Sequence, residues 1–490
     1  MTLLGLLPQI SLLGVVLIPF LGAIAIALAA ARPGLRNGLL WASSIVFLLA
    51  VLGQVAPFLA GETERQLVWE LLPELTIAFQ IEPLGLIFLL LSSSLWLLAT
   101  PYAIGYMTHG GYSNLGRFFA CYAIALGAAA GIALADNLLT MFVFYEILSV
   151  STYPLVAHTG TSKARRGARA YIALLLLTSI CFWLPAMIWV WASTGSLDFA
   201  AGGILQGHIS PAMAGWMLLL FMFGTGKAAL MPFHRWLPSA MVAPTPVSAL
   251  LHAVAVVKAG VFVVLKLALY LFGLDFLREI PFTDFVLYMA AFTMLTASLI
   301  AMHQDNLKAR LAYSTVSQLS YIVVGAMLAS QLAAIGGGMH MVMHGYGKIT
   351  LFFCAGAIYL GSKKTLVSEL DGLGRRMPFT MGAFLLGALC VIGIPPLGGL
   401  WSKWHLVTGA FDAGHGLILA AFLVSTLLNI GYLLPPVLRA FLKPLPAGES
   451  SEFKEAPWIC VVPLTLTAIG AVVLFFVAGI PFGLMEAVFQ

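Results

Sequence analysis

The sequence predicts an all-α polytopic membrane protein of about fourteen transmembrane helices. Three observations carry that prediction. First, only 9% of the 490 residues are charged and 61% are hydrophobic, with a mean hydropathy of +1.01. A soluble domain carries nearer 25% charged residues. Second, the apolar residues come in unbroken runs near the roughly 20 residues that a hydrocarbon layer requires. That continuity excludes a membrane β-barrel, whose strands alternate over about ten residues. Third, the basic residues sort by loop.

Taken in order, the runs centre near residues 20, 49, 92, 126, 147, 180, 220, 255, 293, 320, 350, 390, 425 and 470. Seventeen of the 24 Lys and Arg, from Arg32 and Arg36 to Lys443 and Lys454, follow odd-numbered spans. Only Arg65 and Arg278 follow even-numbered ones, and Lys227, Lys258, Lys266, Lys348 and Lys403 lie within spans. The positive-inside rule then makes the odd loops cytoplasmic and sends both termini outward. The net charge of +5 is accounted for by this topology and implies no nucleic acid. No basic segment precedes the first run, so it is expected to be a retained span despite the Ala-x-Ala near Ala29. The expected location is a bacterial or archaeal cytoplasmic (inner) membrane.

No soluble domain is expected, since the longest polar segments, near 61–76, 361–377 and 443–457, are loop-sized. Helix breakers interrupt two spans. In the seventh, Gly224-Thr-Gly-Lys227 runs into Pro232; in the twelfth, Gly393-Ile-Pro-Pro-Leu-Gly-Gly399 precedes Lys403. Freed backbone groups at membrane depth are tolerated only beside protein or water. A broken, charged helix in each half is the pattern of transporters built from two inverted repeats. Spans 4–8 and 9–13 are the expected repeats. The chain therefore divides into residues 1–110 (three N-terminal spans), 111–275 and 276–442 (the repeats) and 443–490 (the last span).

Lysines at bilayer depth cost about 2.5–3.5 kcal/mol each on insertion scales, and so need a partner, water or a task. Lys227 is the only charge between Trp216 and Leu230. Mid-span Glu146 is its natural counterpart, each stabilising the other's charged form while desolvation opposes both. His340, His344 and Lys348 recur every fourth residue, on one helix face across two turns. Histidine both donates and accepts near neutral pH, so such a stripe can pass protons. In the eighth span His252 and Lys258 extend the set, while Lys266, nearer the outer end, is expected to snorkel. His234, just past Pro232, is either a cytoplasmic intake or a cap. Lys403 is the candidate terminal group, facing an outer loop with Asp412 and His415. Glu82 reads as an interfacial carboxylate. The bland alternative throughout is a static set of buried ion pairs fixing helix packing.

Several chemistries have no signature. Gly226-Lys227 and Gly347-Lys348 lack the rest of a phosphate loop. The cysteines Cys121, Cys181, Cys354, Cys390 and Cys460 form no CxxC and read as small core residues. No cofactor or metal is expected.

The stretch Lys227-Ala-Ala-Leu-Met-Pro-Phe-His-Arg-Trp-Leu-Pro-Ser-Ala-Met-Val-Ala-Pro-Thr-Pro-Val-Ser-Ala-Leu-Leu-His252 resembles the signature of antiporter-like subunits of respiratory complex I and Mrp-type cation/proton antiporters. So do Asp305-Asn-Leu-Lys308-Ala-Arg-Leu-Ala-Tyr-Ser-Thr-Val-Ser-Gln318 and Ile394-Pro-Pro-Leu-Gly-Gly-Leu-Trp-Ser-Lys403. Ser151-Thr-Tyr-Pro-Leu-Val-Ala-His158 and Ser368-Glu-Leu-Asp-Gly-Leu-Gly-Arg-Arg-Met-Pro378 look most like the D-type subunit of the Mrp complexes. The resemblance implies that Glu146 pairs with Lys227, that Lys258 and the span-eleven histidines relay, and that Lys403 is the distal switch. Ser239 and Glu82 stand where relatives often carry Asp, and the long lateral helix of the largest members is not expected.

The function expected is therefore that of a proton-translocating subunit of a multisubunit Mrp-type Na⁺ (or other monovalent cation)/H⁺ antiporter. Two alternatives are a proton-pumping subunit in the membrane arm of a redox complex, complex I-like or hydrogenase, and a non-pumping scaffold. Expected partners are other membrane subunits and the lipid bilayer. Sodium sites prefer clustered oxygen ligands, and one mid-span carboxylate is too few, so a sodium route is expected in another subunit.

Overall fold

The computed structural model describes residues 9–72, 75–446, 448 and 452–490, with Leu251 and His252 described by backbone alone. Every predicted span centre falls within a helical segment except that near 255, which lies at a bend between Leu250–Val254 and Val256–Lys266. Spans 1 to 5 are Leu12–Leu28, Pro33–Gly53, Pro83–His109, Leu115–Ala133 and Leu138–Val156. Span 6 runs from Ser162 to Thr194 through a π-turn at Ser179–Trp183. Span 7 begins as Pro211–Gly224, and span 8 extends from Thr245 to Phe272. Spans 9 to 11 are Thr283–His303, Leu307–Met327 and Gln331–Ser362. Span 12 is split into Pro378–Ile392 and Gly399–Asp412, followed by Gly416–Leu442 and Trp458–Phe476.

The starts of these helices are written locally. Pro occupies the first helical position at Pro33, Pro83, Pro211 and Pro378, where its missing N–H costs nothing. Ser11, Asn137, Thr161, Ser210 and Asn306 cap free N–H groups with their side chains. Among the described residues, nine helices are long and apolar enough to cross a membrane. The five other spans are short, broken or, in span 10, rich in polar groups.

Both predicted breaks exist. Span 7 stops at Gly224, makes a 3₁₀ turn at Gly226–Ala228, and resumes as short segments from Phe233. The indole of Trp236 donates to the Gly226 carbonyl at 2.8 Å, satisfying one group that the break frees. Span 12 breaks at Gly393, whose φ of +92° is the left-handed region that favours glycine. A Cβ there would also lie 3.0 Å from the Lys403 stem, so this glycine makes room for the lysine. The Met231–Pro232 and Pro395–Pro396 bonds are both cis.

Three interruptions have no sequence warning. These are the π-turn of span 6 and two π segments in span 8, Leu250–Val254 and Leu267–Phe272. The all-α expectation also gains an exception in the 61–76 loop. Two antiparallel strands, β1 (Gln66–Leu72) and β2 (Leu75–Phe79), form a bulged hairpin. Span 11 is the most enclosed of the long helices, packed against spans 3, 10, 12 and 14 and the span-8 segments. It carries His340, His344 and Lys348, and the helices of Lys258 and Lys403 pack against it.

Candidate functional site

Span 5 presents Tyr145 and Ser149, four residues apart and hence on one face, to the broken segment of span 7. Lys227 is fully buried and donates to the Tyr145 carbonyl at 2.8 Å and to Ser149 Oγ at 2.6 Å. Its Nζ lies 3.0 Å from the Tyr145 ring centre, and its backbone N–H donates to the Tyr145 hydroxyl at 3.1 Å. The ion pair expected between Glu146 and Lys227 is therefore open. Glu146 stands about 100° round the helix from Tyr145 and about 60° from Ser149, beside the pocket but making no ion pair with the lysine. Among the described residues, neither carboxylate oxygen of Glu146 has a hydrogen-bond partner, though both are buried.

Span 8 passes close behind Lys227. A Cβ on Gly260 would lie 2.4 Å from the Lys227 carbonyl carbon, so only glycine permits that approach. Two residues earlier, Lys258 is fully buried and its Nζ lies 2.6 Å from His344 Nδ1. This contact joins span 8 to span 11.

On span 11 the rings of His344 and His340 stack at 5.6 Å. His340 is held from both sides. Its Nε2 donates to Gln318 Oε1 at 3.2 Å, and its Nδ1 accepts from Ser402 at 2.9 Å. The Gln318 amide nitrogen then donates to Asn429, whose amide orientation follows from its partners. So placed, Asn429 Oδ1 accepts from Gln318 at 3.1 Å and from Lys403 Nζ at 2.9 Å. Lys403 also donates to the Ile392 carbonyl, freed by the span-12 break, at 3.0 Å.

Lys348 shares the helix face of the histidines but turns elsewhere. Its Nζ donates to Ser314 Oγ at 2.6 Å and to the Leu311 carbonyl at 3.3 Å. Ser314 donates to Tyr432 at 3.1 Å, and the Asn429 amide nitrogen, in the same orientation, donates to the Tyr432 hydroxyl. Lys348 thus reaches the network by a side branch through spans 10 and 13. Ser149, Ser314, Gln318, Ser402, Asn429 and Tyr432 were not singled out from the sequence. They are neutral and scattered, and only the packing of spans 5, 10, 12 and 13 brings them together. The string Ser317-Gln318 inside a span was the one available hint.

Two candidates remain. His234 lies in the Phe233–Arg235 turn, half-buried, its ring 6.4 Å from Tyr313, with no tie to the line. The His252 side chain lies outside the described residues. Lys266 corrects an expectation: it is 1% exposed and does not snorkel, because Glu82 pairs with it inside the protein. Cys181 corrects another, being exposed on span 6 and not in the core. Among the described residues no cluster of three or more His, Cys, Asp or Glu could hold a metal.

Lysine and histidine gain and lose protons, whereas amides do not near neutral pH. Chemically, Lys258, His344, His340 and Lys403 can carry protons, and Gln318, Asn429 and Ser402 can hold those carriers in register.

A multi-span helical body with two broken helices and a buried row of ionisable side chains defines an antiporter-like membrane subunit. The chain belongs to the family described as NADH:quinone oxidoreductase/Mrp antiporter, transmembrane, which it matches over residues 135–429. It is 32% identical over 483 residues to NADH-quinone oxidoreductase subunit N of Desulforudis audaxviator (strain MP104C), covering 94% of each chain. It is 31% identical over 360 residues to NAD(P)H-quinone oxidoreductase chain 5 of a Synechocystis species, covering 69% of this chain but 51% of that one. Its fold matches a chain of a membrane-bound sulfane sulfur reductase, an archaeal respiratory membrane complex (TM-score 0.84, 23% identity, 96% of each chain). It matches a chain of the Mrp complex from Dietzia sp. DQ12-45-1b equally well (TM-score 0.84, 21% identity, 100% of this chain and 97% of that one).

Proposed function

We infer that this subunit carries protons through the membrane along Lys258, His344, His340 and Lys403, with Glu146 and Lys227 as the control pair at the first break. The observation that carries the reading is the 2.6 Å contact between Lys258 and His344, which links the two halves' titratable groups inside a buried core. Opening the Glu146–Lys227 pair weakens the hold on the lysine's proton; closing it strengthens that hold. A static scaffold would call for closed, fully satisfied ion pairs, because an unpaired buried charge costs several kcal/mol. The open arrangement at Glu146 supports the working reading instead.

The first-choice setting is an Mrp-type Na⁺ (or other monovalent cation)/H⁺ antiporter of several membrane subunits, in a bacterial or archaeal inner membrane, with both chain termini outward. The sorting of basic loops supports that orientation. The names of the quinone oxidoreductase relatives favour a second setting, the membrane arm of a redox-driven pump. In either setting the chain moves ions and the chemistry of any redox partner resides elsewhere. Sodium, if exchanged, uses another subunit.

The test is Lys258→Met in the assembled complex, reconstituted in liposomes and followed by a pH-sensitive dye. Proton movement is expected to disappear while assembly persists. Unchanged proton movement overturns the relay, and equal loss of assembled complex favours the scaffold.

A further inference from the structure

Span 8 carries a second buried lysine that the line above leaves unused. Lys266 lies two turns beyond Lys258, about 12 Å along the helix axis. Its Nζ is paired with Glu82, the residue that precedes span 3. It also lies 4.7 Å from the Phe199 ring centre and 4.6 Å from that of Tyr270. The Glu82 side chain keeps 12% exposure, so one end of the pair reaches the protein surface, on the side that the sorting of basic loops assigns to the outside. The Tyr270 hydroxyl beside it is buried and, among the described residues, has no hydrogen-bond partner.

Residues 258, 262 and 266 recur at four-residue intervals along one helix face. Phe262 therefore stands between the two lysines. Its ring packs against Phe88 of span 3 at 5.2 Å, and both rings are fully buried. The arrangement is a lysine joined to the proposed relay, two aromatic rings, and then an ion pair open to the outside. A buried pair kept for stability alone gains little, since desolvation commonly offsets its attraction.

We propose that Lys266–Glu82 is an outward proton station belonging to the first half, and that Phe262 against Phe88 is the dry gate separating it from Lys258. The proton balance is simple. Lys266 passes its proton to Glu82, which loses it to outer water. The neutral Lys266 then takes, across water admitted past the parted rings, the proton that Lys258 releases. No bond other than N–H and O–H changes, and the pair returns to its starting state. This rests on the proton-relay reading and adds an exit to it, distinct from the route ending at Lys403.

The experiment uses the whole complex in liposomes, measuring passive proton permeability and driven transport. Phe262→Ala is expected to raise passive permeability severalfold, and the double variant Phe262→Ala with Glu82→Gln to return it to the unmodified level. Phe88→Leu serves as the second way of loosening the gate should Phe262→Ala assemble poorly. Glu82→Gln alone should slow driven transport severalfold, and Glu82→Asp should keep it. A tight membrane with both gate variants, or a leak that Glu82→Gln leaves unchanged, overturns the station. If that happens while Lys258→Met still abolishes driven transport, only the outlet falls. If Lys258→Met has no effect, the relay itself falls.

Discussion

Lys227 Nζ sits 2.6 Å from Ser149 Oγ while Glu146, one residue beyond Tyr145, offers its carboxylate to no hydrogen-bond donor among the described residues. The lysine is thus parked on neutral acceptors, a carbonyl and a hydroxyl, beside the charge it is expected to meet.

This parking makes two substitutions separable. Glu146→Gln removes the charge that would draw Lys227 out, and driven transport should fall about a hundredfold or more, the scale of losing a proton-transfer group. Ser149→Ala removes one hydrogen bond to an ammonium, about 1.5–3 kcal/mol, and favours the Glu146-bound position. Its effect should be smaller than that of Glu146→Gln and of a different kind, visible as a changed pH profile of transport. Equal losses from both substitutions would refute the distinction.

Gln318 holds His340 on one side and Asn429 on the other. Gln318→Leu leaves both without that partner, and His340 loses its fixed tautomer. Since an amide orients and does not carry, transport should fall roughly tenfold, short of the loss expected at Lys258. Gln318→Glu, which still accepts from His340, should retain more activity than Gln318→Leu. Initial rates of dye quenching measure both.

Arg310, at the start of span 10, donates to the carbonyls of Gln304, Met302 and Tyr432, tying spans 9, 10 and 13 together. Arg310→Ala strands the buried Tyr432 carbonyl and should cost about 1–3 kcal/mol of stability. The check is a lowered thermal midpoint of the detergent-solubilised complex, with near-normal proton transport per assembled complex at low temperature.

Asp305, in the loop between spans 9 and 10, accepts from the Ser368 hydroxyl at 2.6 Å and its backbone N–H at 2.9 Å. Those bonds hold its carboxyl below the usual carboxylate range. A lowered folded-state value means stability that is present at neutral pH and lost as pH falls through that value. Proteolysis of the 363–377 loop should therefore accelerate only in strong acid. Asp305→Asn should flatten that dependence; an unaltered acid profile would count against the latch.

Much of the architecture was legible because a bilayer imposes length and polarity on every span. Runs of about 20 apolar residues, basic loops on alternate sides and the Gly/Pro clusters at Gly224 and Gly393 announced the helices and both breaks. The hairpin at Gln66–Phe79 went unread because its outer strand is exposed and its apolar residues fill no core. The π segments of span 8 went unread because its Val- and Ala-rich residues suit any helix.

The candidate site divides along the same line. Ionisable side chains in apolar runs stand out one residue at a time, so Lys227, Lys258, His340, His344, Lys348 and Lys403 could be named from the sequence. Which of them meet is a matter of helix rotation and neighbours. Packing set Lys227 on Ser149 and not on Glu146, turned Lys348 to Ser314 and paired Lys266 with Glu82. Composition and periodicity specify what a helix carries and roughly how deep it lies. Only the close-packed tertiary structure, which sets rotation about each axis to within one side chain, decides what each group touches.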